Sequence, residues 1–160
     1  MQRLISTSFA VACVAAYRQI DSLECVQNEH WVGDLPYYDT TSGVQPCSYA
    51  GTLPSNKEET HHMFYWMYPH ANVEAPVAIW LNGGPGASSI FANFLMNGPL
   101  KIERTGAGDD DFRMYLASQG SWVDEATMIF VDQPVGTGFS WGDGLLHTMD
   151  DAADEFVYFL

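Results

Sequence analysis

The sequence predicts an α/β protein: a sheet of at least three central strands with helices laid against it. Three observations carry that expectation. Two apolar, β-prone runs, Pro76 to Leu81 and Glu125 to Val131, each pass directly into a turn rich in Gly and Pro. Between them, Ile90, Phe91, Phe94 and Leu95 recur at helical spacing from Ser88 onward. Near the end, Ala152, Ala153, Phe156, Val157 and Leu160 give a second helix its apolar face.

The elements follow in chain order. Residues 1–16 read as a secretory signal peptide: Met1-Gln2-Arg3 is the charged start, Leu4 to Ala16 the apolar region, and Val14-Ala15-Ala16 the small residues before a cut at Tyr17. At about 13 residues the apolar run falls short of the roughly 20 that a bilayer span requires. No other segment is long and apolar enough, so no membrane span is expected. Localisation follows as the secretory pathway, ending in a lysosome or vacuole or outside the cell. Residues 17–47 mix charges, Gly and Pro, and predict an extended arm hugging the surface of a domain over 48–160.

Within that domain Tyr49 to Leu53 is a short strand, and Pro54 to Glu59 is a turn by composition. His61 to Tyr68 is an aromatic strand. A loop over Pro69 to Ala75 separates it from Pro76 to Leu81, which predicts an antiparallel pair. The helix from Ser88 should stop near Asn97-Gly98-Pro99. Gly106 to Asp111 is a solvated turn whose three aspartates lack calcium-loop spacing. Thr148-Met149-Asp150-Asp151 opens the last helix like a capping box, with acids complementing the helix dipole. The apolar pattern is still running at Leu160. The sheet is therefore expected to be incomplete by itself, with a protein partner covering its open edge and the Phe156/Leu160 face.

Twenty acidic residues against six basic ones give a net charge of −14, which excludes a nucleic-acid partner. It suits an acidic compartment, where protonation eases self-repulsion. Of three cysteines, Cys13 falls in the signal peptide; Cys25 and Cys47 remain, either to bond each other or to await other partners. Neither a metal-ligand spacing nor a phosphate loop is present, so no metal and no cofactor is expected.

The chemistry concentrates in Asn82-Gly83-Gly84-Pro85-Gly86. Consecutive glycines after a buried strand let the backbone turn sharply and aim N–H groups into open space. Such donors suit a carboxylate, a phosphate or the oxyanion of acyl transfer. The residues alone leave open a plain strand-to-helix turn. Gly138-Phe139-Ser140-Trp141-Gly142 matches the nucleophile pattern of esterases and peptidases literally, yet it follows its strand only after a Pro/Gly loop and continues as loop. A nucleophile must sit on a tight strand-to-helix bend, so Ser140 is not expected to be one. His30, His61, His62, His70 and His147 are assigned surface or capping roles rather than that of a general base.

Trp80-Leu81-Asn82-Gly83-Gly84-Pro85-Gly86-Ala87-Ser88-Ser89 and Asp132-Gln133-Pro134-Val135-Gly136-Thr137-Gly138-Phe139-Ser140 together resemble the serine carboxypeptidases. The likeness extends to Tyr49-Ala50-Gly51-Thr52-Leu53, Phe64-Tyr65-Trp66, Asn97-Gly98-Pro99 and Gly120-Ser121-Trp122, covering roughly residues 45 to 160. The resemblance implies the N-terminal part of an α/β-hydrolase-like mixed sheet flanked by helices, with the Ser-Asp-His triad outside this sequence. It implies that Asn82 and the Gly83 N–H hold the carboxylate of a peptide C-terminus, and that the Gly84 N–H lines the oxyanion hole. Trp80 would wall the pocket, or else simply pack between sheet and helix. Two positions depart from the family pattern: Ala87 replaces a disulfide cysteine, and Met96 replaces a glutamic acid that would hydrogen-bond the substrate carboxylate. Two expectations follow: part of a carboxypeptidase, inactive by itself, or a non-catalytic member serving as a structural or binding subunit.

Overall fold

The computed structural model describes residues 25–108 and 111–160. The signal peptide and the first part of the arm lie outside the described residues, as do two residues of the aspartate-rich turn. From Cys25 to Cys47 the chain runs along the sheet edge, with a short 3-10 turn at Thr40–Ser42. Ala50 N–H donates to His30 O at 2.8 Å and Val32 N–H to Ser48 O at 2.9 Å. A Cys25–Cys47 disulfide closes this segment against the strand that follows.

Seven strands and two helices come next: β1 (Tyr49–Pro54), β2 (His61–Tyr68), β3 (Val77–Trp80), α1 (Ile90–Leu95), β4 (Leu100–Arg104), β5 (Phe112–Leu116), β6 (Thr127–Val131), β7 (Trp141–Gly142) and α2 (Met149–Phe159). The main sheet has the order β1-β2-β6-β3, with the short β7 also on β2. It is mixed: β2 is antiparallel to β1, β6 and β7, whereas β3 lies parallel to β6 with Ile79 opposite Ile129. The antiparallel β2–β3 pair expected from their adjacency does not form. β6 inserts between them, antiparallel to β2 and parallel to β3. Met128, Phe130 and Val131 are buried, and a central position covers both faces of such a strand. β3 is left at the edge, with Val77 and Ile79 exposed.

Alternation along β6 divides the interior. Met128 and Phe130 face α1 with Tyr68, Ala92 and Val123, while Ile129 and Val131 face α2 with Met63, Phe156 and Phe159. α2 opens as its sequence indicates: the Thr148 side chain accepts from Asp151 N–H at 3.1 Å. The β4–β5 hairpin stands apart as a second sheet, braced by Arg113, which bonds Glu103 across the pair at 2.7 Å and Asp39 in the arm at 2.8 Å.

Candidate functional site

The parallel pairing of β3 and β6 brings their C-terminal ends side by side, and both leave the sheet through polar turns. Asp132, the first residue after β6, is fully buried, and among the described residues no cation forms an ion pair with it. Donors compensate its charge instead. Oδ1 accepts from the Ser88 hydroxyl and from Ser89 N–H, each at 2.7 Å, and Oδ2 accepts from Phe139 N–H at 3.0 Å. Hydrogen bonds to an ionised acceptor are the strong kind, so this carboxylate ties the turn after β3 to the loop after β6. Gly138 passes so close that a Cβ there would collide with the Asp132 carboxylate, and its φ of +54° favours glycine in any case.

Ser89 extends the frame. Its hydroxyl donates to Val131 O at 2.6 Å and accepts from Asn82 N–H at 3.0 Å. The Asn82 amide is oriented from both ends. Its Oδ1 accepts from Trp80 Nε1–H at 2.8 Å, and its Nδ2 donates to Ser88 O at 2.9 Å. An indole N–H can only donate and a carbonyl can only accept, so the amide cannot be flipped. One Nδ2 hydrogen remains available, since an amide nitrogen carries two.

Gly83 to Ala87 project from this frame into solvent. Gly84 and Gly86 have φ of +140° and +101°, the left-handed region that glycine tolerates. Among the described residues, the amides of Gly83 and Gly84 have no hydrogen-bond partner, and the space beside the Gly83 Cα is empty. Two free backbone donors and one amide hydrogen on a rigid base can receive an anion without a buried countercharge. The half-buried Trp80 ring packs against the α1-side core and meets Trp122 edge-to-face at 5.4 Å. Its indole N–H is the part that serves the turn.

A pocket of about 210 Å³ adjoins the glycine turn, lined by Pro85, Gln133, Pro134, Leu146, His147 and the first residues of α2. Ser140 lies elsewhere: it is buried, donates to Asp132 O at 2.5 Å and gives its lone pair to Phe64 N–H at 2.8 Å. Among the described residues no serine hydroxyl bonds to an imidazole. His30 Nδ1 meets the Tyr65 hydroxyl at 3.0 Å, and His62 and His70 meet backbone carbonyls. His61 departs from the surface role expected of it, because it is largely buried against Glu155. Ala87 and Met96 are exposed; beside Met96, Lys101 donates to its carbonyl at 2.7 Å, and partial burial lowers that amine from its ordinary value.

The frame residues Ser88, Ser89 and Asp132 were not singled out from the sequence as a unit. A signal existed: an acid placed directly after the apolar run Met128 to Val131, with no basic residue nearby in sequence, has to find donors.

These features define an α/β protein whose glycine turn, mounted on a buried aspartate, presents unpaired backbone donors. The chain belongs to the serine carboxypeptidase family, whose model matches residues 36–160. It is similar to the pheromone-processing carboxypeptidase KEX1 of Debaryomyces hansenii, with 37% identity over 139 residues, 82% of this chain and 19% of the relative. The KEX1 carboxypeptidase of Candida glabrata is 36% identical over 128 residues, 76% of this chain and 17% of the relative. Serine carboxypeptidase S10 family member 2 of Dictyostelium discoideum is 33% identical over 152 residues, 89% of this chain and 26% of the relative. The chain thus spans between 17% and 26% of the length of these relatives.

Proposed function

We propose that this chain supplies the substrate-anchoring part of a serine-type carboxypeptidase site, gripping the free carboxylate at a peptide's C-terminus. Asn82 Nδ2 and the Gly83 N–H would hold that carboxylate, and the Gly84 N–H would face the oxyanion that develops at the scissile carbonyl. The single observation that carries the reading is the pair of unpartnered amides at Gly83 and Gly84 on a base fixed by Asn82, Ser89 and Asp132. Donors held in place before the reaction stabilise developing charge without reorganising, and removing one such donor commonly costs about 10² to 10³ in rate. The mixed sheet would form the first strands of an α/β-hydrolase fold, which the family membership supports.

In this reading the peptide is bound here but attacked by groups from outside this sequence, and the isolated chain hydrolyses nothing. Its place is the secretory pathway, and a protein surface covers the exposed edge at Val77 and Ile79 together with Leu160 at the end of α2; Phe156, expected on that open face, instead packs over Met63. One observation favours a second reading, a non-catalytic binding subunit. Met96 stands where the resemblance expects an acid, and a thioether cannot donate a proton to a carboxylate.

The test is a titration of the isotope-labelled chain with a blocked dipeptide carrying a free C-terminal carboxylate, and separately with its C-terminal amide. The acid should shift the Gly83, Gly84 and Asn82 side-chain resonances, while the amide leaves them in place. An equal response to both ligands, or none to either, overturns the assignment. Release of the C-terminal residue by the purified chain would refute its inactivity.

A further inference from the structure

We propose that His61 and Glu155 form a pH-sensitive latch, closed when the imidazole is protonated, that fastens α2 to β2 and thereby sets one wall of the pocket beside the glycine turn. Three contacts place the groups. His61 Nδ1 lies 2.5 Å from Glu155 Oε1, with both side chains largely shielded from water. The second carboxylate oxygen of Glu155 accepts from the Ser55 hydroxyl at 3.3 Å, and Ser55 is fully buried. His61 Nε2 faces the Asp143 carbonyl at 3.3 Å.

The decisive feature is that both ring nitrogens point at oxygen acceptors. A neutral imidazole carries one N–H and one lone pair, so it can satisfy only one of them and sets a lone pair against the other oxygen. The imidazolium has two N–H groups and satisfies both. The site therefore selects the charged form by geometry.

Every side packed on the ring agrees. The turn after β1 contributes the Ser55 hydroxyl. The residue after β7 contributes Asp143, through its carbonyl and its charge, and α2 contributes Glu155. On its own strand, His62 turns to the opposite face and stacks on Trp141. Among the described residues, the charges facing His61 are thus negative. The hydrogen bond to Glu155 raises the imidazole above its ordinary value, and burial opposes that rise only in part.

Little else polar holds α2. Phe156 and Phe159 pack over Met63 and Tyr65, and Gln133 reaches the Ala152 carbonyl at 3.4 Å. Thr148, Met149 and Ala152 from its first turns line the pocket opposite Pro85. Docking of α2 therefore decides whether that wall is present. Because the docked imidazole titrates above the free one, the latch contributes fully below about pH 6.5 and is lost as pH rises through the raised value.

Hydrogen exchange of the chain, corrected for intrinsic rates, tests this at a series of pH values. Amides of α2 should lose protection as pH rises above about 6.5, while those of β2 and β6 keep theirs. The docked-to-undocked ratio should fall with pH and level off once the docked imidazole has lost its proton. His61→Arg, a cation that does not titrate in this range, should keep α2 protected throughout, and Glu155→Gln should leave it unprotected already at pH 6. In Glu155→Gln the His61 ring resonance should also titrate at the free value. The proposal is overturned by flat α2 protection in the unmodified chain, by an unprotected α2 at pH 6, or by sheet and helix opening together. An unmoved His61 titration in Glu155→Gln overturns it as well.

Discussion

Asp132→Asn tests whether a buried carboxylate holds the glycine turn in place. The substitution keeps size and shape but turns one oxygen into N–H2. Whichever way the amide settles, that group confronts a donor: Phe139 N–H on one side, or the Ser88 hydroxyl and Ser89 N–H on the other. The better orientation sacrifices the Phe139 bond and retains the other two as neutral bonds. A hydrogen bond to a charged group contributes about 1.5–3 kcal/mol and a neutral one about 1 kcal/mol. Losing one and weakening two therefore costs about 2.5–7 kcal/mol. Domains of ordinary stability hold only about 5–15 kcal/mol in total, so the loss should be obvious. Urea unfolding followed by tryptophan emission is a suitable assay, since Trp66 and Trp80 pack on the core beside the frame. Ser88→Ala, which removes one donor and leaves the charge, should cost about 1.5–3 kcal/mol, less than Asp132→Asn. An Asp132→Asn midpoint within about 1 kcal/mol of the parent, with an unchanged slope, would show that the carboxylate is not what binds the two turns together.

Replacing Cys25 and Cys47 together by Ser should cost about 3 kcal/mol, because their separation of 22 residues sets the loop entropy released on unfolding. Denaturation of the parent with and without reductant should reproduce the same difference. Gly83→Ala should change stability by less than about 0.5 kcal/mol, since its Cβ would meet nothing. It should nevertheless weaken binding of a free C-terminal carboxylate by about tenfold or more in the dipeptide titration, because the methyl enters the space the ligand needs.

How much of this was legible in the sequence depends on how local each feature is. β6 and both helices were readable because apolar periodicity and caps are written within a dozen residues; Thr148 caps α2 as its pattern indicates. The partner of β3 was not readable. Two strands separated by a short loop resemble a hairpin, and nothing within that stretch shows that β6, some fifty residues later in the chain, takes the place beside β3. β4 and β5 escaped notice because charges interrupt them. Yet Leu100 and Met114 are buried while Glu103 and Arg113 pair across the hairpin, an alternation of period two visible in retrospect. The glycine turn was conspicuous, but the residues that hold it rigid were not. Asp132 draws its three donors from two loops, and Glu155 lies 94 residues from His61. Such partnerships exist only once the chain has folded.

The two titration behaviours available to this chain can be separated. Backbone amides and the Asn82 side chain do not change charge between about pH 5 and 8, so the anion cradle has no pH dependence of its own there. Residue 96 adds none, because Met96 replaces the acid that the resemblance places there, and Lys101 is committed to the Met96 carbonyl. Any pH dependence of carboxylate binding must then enter through a neighbouring group: His147, which lines the pocket directly, or His61, which fastens the α2 wall. With the latch in control, dipeptide affinity measured across that range should weaken as pH rises in the parent chain and stay level in His61→Arg, which keeps α2 docked. A profile that survives unchanged in His61→Arg would assign the titration to another group at the pocket, such as the His147 that lines it, and would remove the His61–Glu155 latch from control of binding.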